Sequence, residues 1–69
     1  MYGGKFYDIL MELIEQRGIS RNGVEKELGY PRNALSNYEK GRVPSAVRLL
    51  ELSNYFYVSP EFLMGEKKK

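Results

Sequence analysis

Glycines at positions 18, 29, 41 and 65, together with Pro31, Pro44 and Pro60, divide this chain into short stretches whose apolar residues recur at helical spacing. The first helix is expected over Phe6–Arg17. There Phe6, Ile9, Leu10, Leu13 and Ile14 follow the period of about 3.6 residues, with Met11, Glu12, Glu15 and Gln16 on the outer side. Arg17 suits the last turn, and Gly18 suits a left-handed cap. Met1 to Lys5, containing Gly3 and Gly4, are expected to form a flexible arm. Ser20 is a good N-cap for a second helix over Arg21–Leu28, which Gly23 weakens and Gly29 ends. Pro31 fits the first position of a third helix reaching Glu39, which turns Leu35 and Tyr38 inward. Ser45 caps a fourth helix to Phe56, with Leu49, Leu50, Leu52, Ser53 and Phe56 on or near its buried side. Ser59-Pro60-Glu61 opens a short fifth helix, Phe62, Leu63 and Met64 close the core, and Glu66 to Lys69 are expected to fray. The expected fold is all-α: one domain over residues 1–69, built as a compact five-helix bundle.

A chain of 69 residues buries only about 60% of its extended surface, so its core must be efficient. There is no cysteine to form a disulfide or a thiolate metal site, and no histidine for imidazole chemistry. No apolar run approaches the roughly 20 residues of a membrane span, and MYGGKFYD lacks a secretory pattern, so a soluble cytoplasmic protein is expected. Catalysis is not expected either. Asp8 with Glu12 and Glu12 with Glu15 are helix-spaced carboxylates on a solvated face, and no glycine-rich phosphate cradle or metal spacing accompanies them. No cofactor is called for.

The net charge is only +2, so the placement of the basic residues matters more than their number. They gather around the second and third helices, whereas Asp8, Glu12 and Glu15 lie on the first. The third helix presents an Arg/Asn face. In a DNA major groove, arginine bridges guanine O6 and N7 while asparagine bridges adenine N6 and N7. Arg32 and Asn33 are expected in the first turn, with Asn37 four residues past Asn33 on the same face and Ser36 short enough for close approach. These four are the candidate base contacts. Arg21 and Asn22 at the start of the second helix, and Lys40, the Gly41 backbone and Arg42 after the third, are the candidate phosphate contacts. The six tyrosines do not argue for stacking on single strands, because Tyr7 and Tyr38 fall near apolar stripes and Tyr30 packs over a turn. Tyr55 and Tyr57, with Val58, Phe62 and Met64, form a candidate apolar surface for a partner protein or a second copy.

From Phe6 to Gly65 the chain resembles the Cro/C1-type helix-turn-helix family of phage repressors and small bacterial regulators. The resemblance rests on Gly18-Ile19-Ser20, Val24, Leu28-Gly29-Tyr30, Leu35-Ser36-Asn37-Tyr38-Glu39-Lys40-Gly41, Pro44-Ser45, Leu49-Leu50 and Val58 to Gly65, taken in order. It implies a lambda-repressor-like bundle of five helices. It also implies a DNA-binding transcription regulator, commonly a dimeric repressor on a palindromic operator, often with a further C-terminal domain. By the same resemblance, Arg32, Asn33 and Asn37 match base-contacting positions, Arg21 a phosphate-contacting position, and Lys40 to Arg42 the loop after the third helix. Four positions depart from the pattern. Ile14 stands where many members place an arginine that pairs with the glutamate matching Glu39; Arg21 replaces a glutamine; Glu25 replaces an alanine that lets the central helices approach; and Tyr57 replaces a glycine. Glu25 is expected to tilt outward or to be accommodated by Gly23. An alternative on the same fold is a protein-interaction module, antitoxin-like or an anti-regulator partner.

Overall fold

Serine hydroxyls open three of the helices in the computed structural model, which describes residues 2–65 and the side chains of residues 5–65. Ser20 Oγ accepts the Gly23 amide at 2.9 Å, Ser45 Oγ the Arg48 amide at 3.2 Å, and Ser59 Oγ the Phe62 amide at 3.1 Å. Each serine has extended backbone angles and satisfies a donor that its helix cannot. The elements are α1 (Tyr2–Arg17), α2 (Arg21–Leu28), a 3₁₀ helix η1 (Ala34–Lys40), α3 (Ala46–Phe56) and α4 (Pro60–Leu63). Gly29 ends α2 at a φ of 75°, with its own amide and the next one turned back onto the helix's last carbonyls.

The core forms where the apolar stripes of these elements meet. Phe6, Leu10, Leu13 and Ile14 of α1 close against Val24, Leu35, Tyr38, Leu52, Phe56 and Leu63. The Phe6 and Tyr38 rings meet edge to face at 5.1 Å, fixing η1 against α1. Ser53 is buried, and its hydroxyl donates to the Leu50 carbonyl. Among the described residues no helix is long and apolar enough to cross a membrane.

Four expectations change. The α1 helix starts at Tyr2, so Tyr2 to Lys5 are helical rather than a flexible arm; Met1 and the fraying expected for 66–69 lie outside the described residues. The Lys5 stem and Ile9 lie so close to Gly65 that a Cβ there would stand 3.0 Å from Lys5 Cδ, and the φ of +81° at Gly65 also favours glycine. Met11, expected outside, is half-buried and packs on the core. Leu50, expected near the buried side of α3, is more than half exposed, because Leu52 and Phe56 set the inward direction. The third helix is not the α-helix expected over Pro31–Glu39 but the 3₁₀ segment η1, beginning three residues later.

Candidate nucleic-acid interface

The chain reaches η1 through a left-handed residue. Asn33 sits at φ 64° and ψ 19°, which breaks any helix starting at Pro31, and the Pro31 carbonyl instead accepts the Ala34 amide at 3.1 Å. Asparagine is one of the few non-glycine residues that adopt this conformation readily. Ser36 fixes the same corner, its amide and hydroxyl both donating to the Asn33 carbonyl, at 3.2 Å and 2.7 Å. In a 3₁₀ helix residues three apart eclipse one another. Leu35 and Tyr38 therefore stack in one inward row, and both are buried. The outward side is polar: Arg32, Asn33 and Asn37 are exposed and Ser36 is half-buried. Three of the four expected base-contacting side chains are thus open to solvent, but not in the expected order. Ser36 rather than Asn37 lies above Asn33, and Arg32 and Asn33 belong to the approach, not to a first α-helical turn.

Glu25 holds this corner from beneath. Its side chain is 1% exposed; Oε1 accepts the Asn33 amide at 3.0 Å and Oε2 the Leu35 amide at 2.9 Å. A buried carboxylate is tolerated here because both oxygens receive charge-assisted bonds from amides at the positive start of a helix. The expectation that Glu25 tilts outward is therefore corrected. The sequence carried no local signal for this: Asn33 is itself a residue type that caps well, and Glu25 lies eight and ten residues from the amides it holds.

The flanking cations fall into two groups. Arg21 is half-buried and its Nη1 donates to the Tyr7 hydroxyl at 2.7 Å, so α1 positions it at the start of α2. Asn22 is exposed beside it, and the amides at the first helical positions have no partner within the helix. Asn22 and Arg32 line one cleft of about 320 Å³ with Glu25, Tyr30 and Lys26, so a candidate phosphate group and a candidate base group are neighbours. Lys26, an exposed cation of α2, was not anticipated; its five-residue spacing from Arg21 puts it off that residue's face, so nothing in the sequence hinted at it. Lys40, the last residue of η1, and Arg42 just beyond it are exposed. The Gly41 amide, expected to face phosphate, instead donates to the Tyr38 carbonyl at 3.1 Å, closing the end of η1.

Tyr30 ties the turn to α3. Its hydroxyl donates to Glu51 at 2.6 Å, and the Arg48 guanidinium stacks 4.1 Å from the ring centroid. Burial, then the bond to Glu51, pushes the Tyr30 hydroxyl well above the usual tyrosine range. The Tyr55 hydroxyl is also raised, first by its hydrogen bond to Glu27. Of the expected partner surface, Tyr55, Val58, Phe62 and Met64 are half-buried against the core, and only Tyr57 stands exposed, at 88%. Tyr57 takes the left-handed cap of α3 at φ 58°. The Arg17 guanidinium covers the Tyr55, Phe56 and Tyr57 rings at 5.3–5.7 Å and donates to the Tyr55 carbonyl. Val43, Val47 and Leu50 are the other large apolar side chains left open to solvent. Ile14 is buried and Glu39 exposed, so the missing arginine partner leaves no buried charge unpaired.

The comparisons with known proteins agree with an all-α helix-turn-helix fold. The helix-turn-helix family matches residues 10–63. The HTH-type transcriptional regulator ImmR of Bacillus subtilis (strain 168) is 36% identical over 58 residues, which are 83% of this chain and 46% of that protein. The chain therefore spans about half the length of this curated relative. No solved structure matches it.

Proposed function

The chain belongs to the Cro/C1-type helix-turn-helix family, and from that premise we propose that it is a DNA-binding transcription regulator that reads duplex sequence through the outward side of η1. One observation carries this reading: Arg32, Asn33 and Asn37 are exposed at and just before a segment whose Ala34, Leu35 and Tyr38 are buried in the core. Such a segment can present its polar side chains to base edges while the rest of the domain holds it rigid. Arg21 and Asn22 on one flank, and Lys40 and Arg42 on the other, are the proposed phosphate contacts.

The finer reading is a repressor acting as a dimer on a palindromic operator. A module this small buries only about 600–1,000 Å² against DNA, so selectivity favours two copies. Exposed Val43, Val47, Leu50 and Tyr57 support a protein contact of that kind. The same apolar groups favour the second reading, a protein-interaction module with no DNA role.

Selection of bound duplexes from a random pool, with stoichiometry recorded, separates the two. Enrichment of inverted half-sites about 10 base pairs apart, each pair bound by two chains, is the expected result. A pool left unenriched at low salt overturns the DNA reading.

A further inference from the structure

We propose that Glu25 is the positioning residue of the reading segment: its buried carboxylate caps η1 from a neighbouring helix, and so leaves the Asn33 side chain free for a base. The inference rests on the DNA reading above and deepens it.

A helix start needs acceptors for its first amides, and the residue at the cap position ordinarily supplies one from its own side chain. Asn33 occupies that position before η1 and is a residue type that caps well, yet its side chain makes no capping bond. Glu25 does that work instead, taking the Asn33 and Leu35 amides on its two oxygens. A self-capping asparagine folds its amide back onto the backbone. Here Asn33 is exposed, as are its neighbour Arg32 and, further on, Asn37.

The capping bonds also set an angle. Glu25 lies in the middle of α2, with Val24 beside it fully buried, so the carboxylate has little freedom to move. Two bonds to amides two residues apart fix the rotation of the corner as well as its position. The left-handed conformation of Asn33, which bends the chain into η1, is held by the same pair. Loss of the carboxylate leaves the core side chains of η1 in place but frees the corner from which Arg32 and Asn33 project.

Glu25→Gln keeps the shape and removes one acceptor; Glu25→Ala removes both and serves as the second variant. Each is assayed in the full chain at a temperature where circular dichroism shows it folded, against the selected duplex and a scrambled one. The expected result is a fall of roughly tenfold in the affinity ratio between the two duplexes, with scrambled binding unchanged or slightly tighter because a negative charge is gone. A merely structural role would lower both affinities together and leave the ratio intact. Amide hydrogen exchange supplies a readout without DNA: exchange is expected to quicken at Asn33 and Leu35 while Leu10 and Leu52 stay protected. Folded variants that keep the wild-type ratio, or that show no quickening at those two amides, overturn the inference. Wild-type protein with no preference between duplexes overturns the DNA reading itself, a different result from variants that keep a preference the wild type has.

Discussion

Arg32 and Asn37 differ from Arg21 and Arg42 in where their side chains are held, and the two pairs should fail differently. Arg32→Ala and Asn37→Ala are expected to cost about 1–3 kcal/mol on the selected duplex and little on a scrambled one. Arg21→Ala and Arg42→Ala are expected to weaken both duplexes alike and flatten the dependence of affinity on salt. Titrations of the four variants at several salt concentrations check this; identical behaviour of the two pairs would refute the assignment. Tyr30 gives a pH prediction. Its hydroxyl keeps its proton in the folded state to higher pH than in the unfolded chain, chiefly through burial and then Glu51. That contribution to stability is complete below about pH 10, the ordinary tyrosine value, and is lost as pH rises through the folded value. Urea melts at pH 9 and pH 11 are expected to show a drop in stability that Tyr30→Phe makes smaller. At this scale the exposure of Arg32, Asn33 and Asn37 was legible in the sequence, because polar side chains among buried apolar ones face water, but their order was not, because the α-helical spacing assumed for them does not hold. Glu25 was not, because its partners lie eight and ten residues away across a turn and its role exists only once α2 and η1 meet.

Where the elements begin and end was legible wherever the signal is local. Ser20, Ser45 and Ser59 all cap as their positions predict, since a hydroxyl followed by helix-forming residues needs no distant partner. Ser20→Ala is expected to destabilise the protein by about 1 kcal/mol in urea denaturation. Gly23 tests the opposite direction. A Cβ there would lie 3.2 Å from Ser20 Oγ, a contact relieved by a few tenths of an ångström. Gly23→Ala is therefore expected to gain about 0.5 kcal/mol from helix propensity, and a loss would mean that the cap bond had been displaced. The third element was misread for a physical reason. Pro31 is a good first residue for an α-helix, but Asn33 turns left-handed under the two bonds from Glu25, and the helix restarts in the tighter 3₁₀ form. The start of α1 departs from the local signal because its glycines oppose helix, whereas Lys5 and Ile9 lie against Gly65, far away in the sequence.

The whole molecule rests on a small apolar cluster, and its tolerance should be low. Leu52 is fully buried among residues from α1, η1 and α4, so Leu52→Ala is expected to cost about 3 kcal/mol. In a domain of this size that lowers the melting temperature by roughly 10 °C or more, measurable by circular dichroism. The bundle itself was legible, because apolar periodicity and four glycine breaks leave few ways to bury five short helices. The surface left over was not. Leu50 turned outward while Tyr55, Val58, Phe62 and Met64 settled half inside, because the inward direction of α3 is set by Leu52 and Phe56 and α4 packs against α3 and α1. The 3₁₀ form of η1 also bears on the length of duplex read. It climbs about 2.0 Å per residue against about 1.5 Å in an α-helix, so four residues advance about 8 Å instead of about 6 Å. With stacked base pairs about 3.4 Å apart, the far end of the segment gains more than half a step along the duplex. Under the proposed reading by η1, an operator worked out for a relative with a regular α-helix there is thus a poor template for this chain.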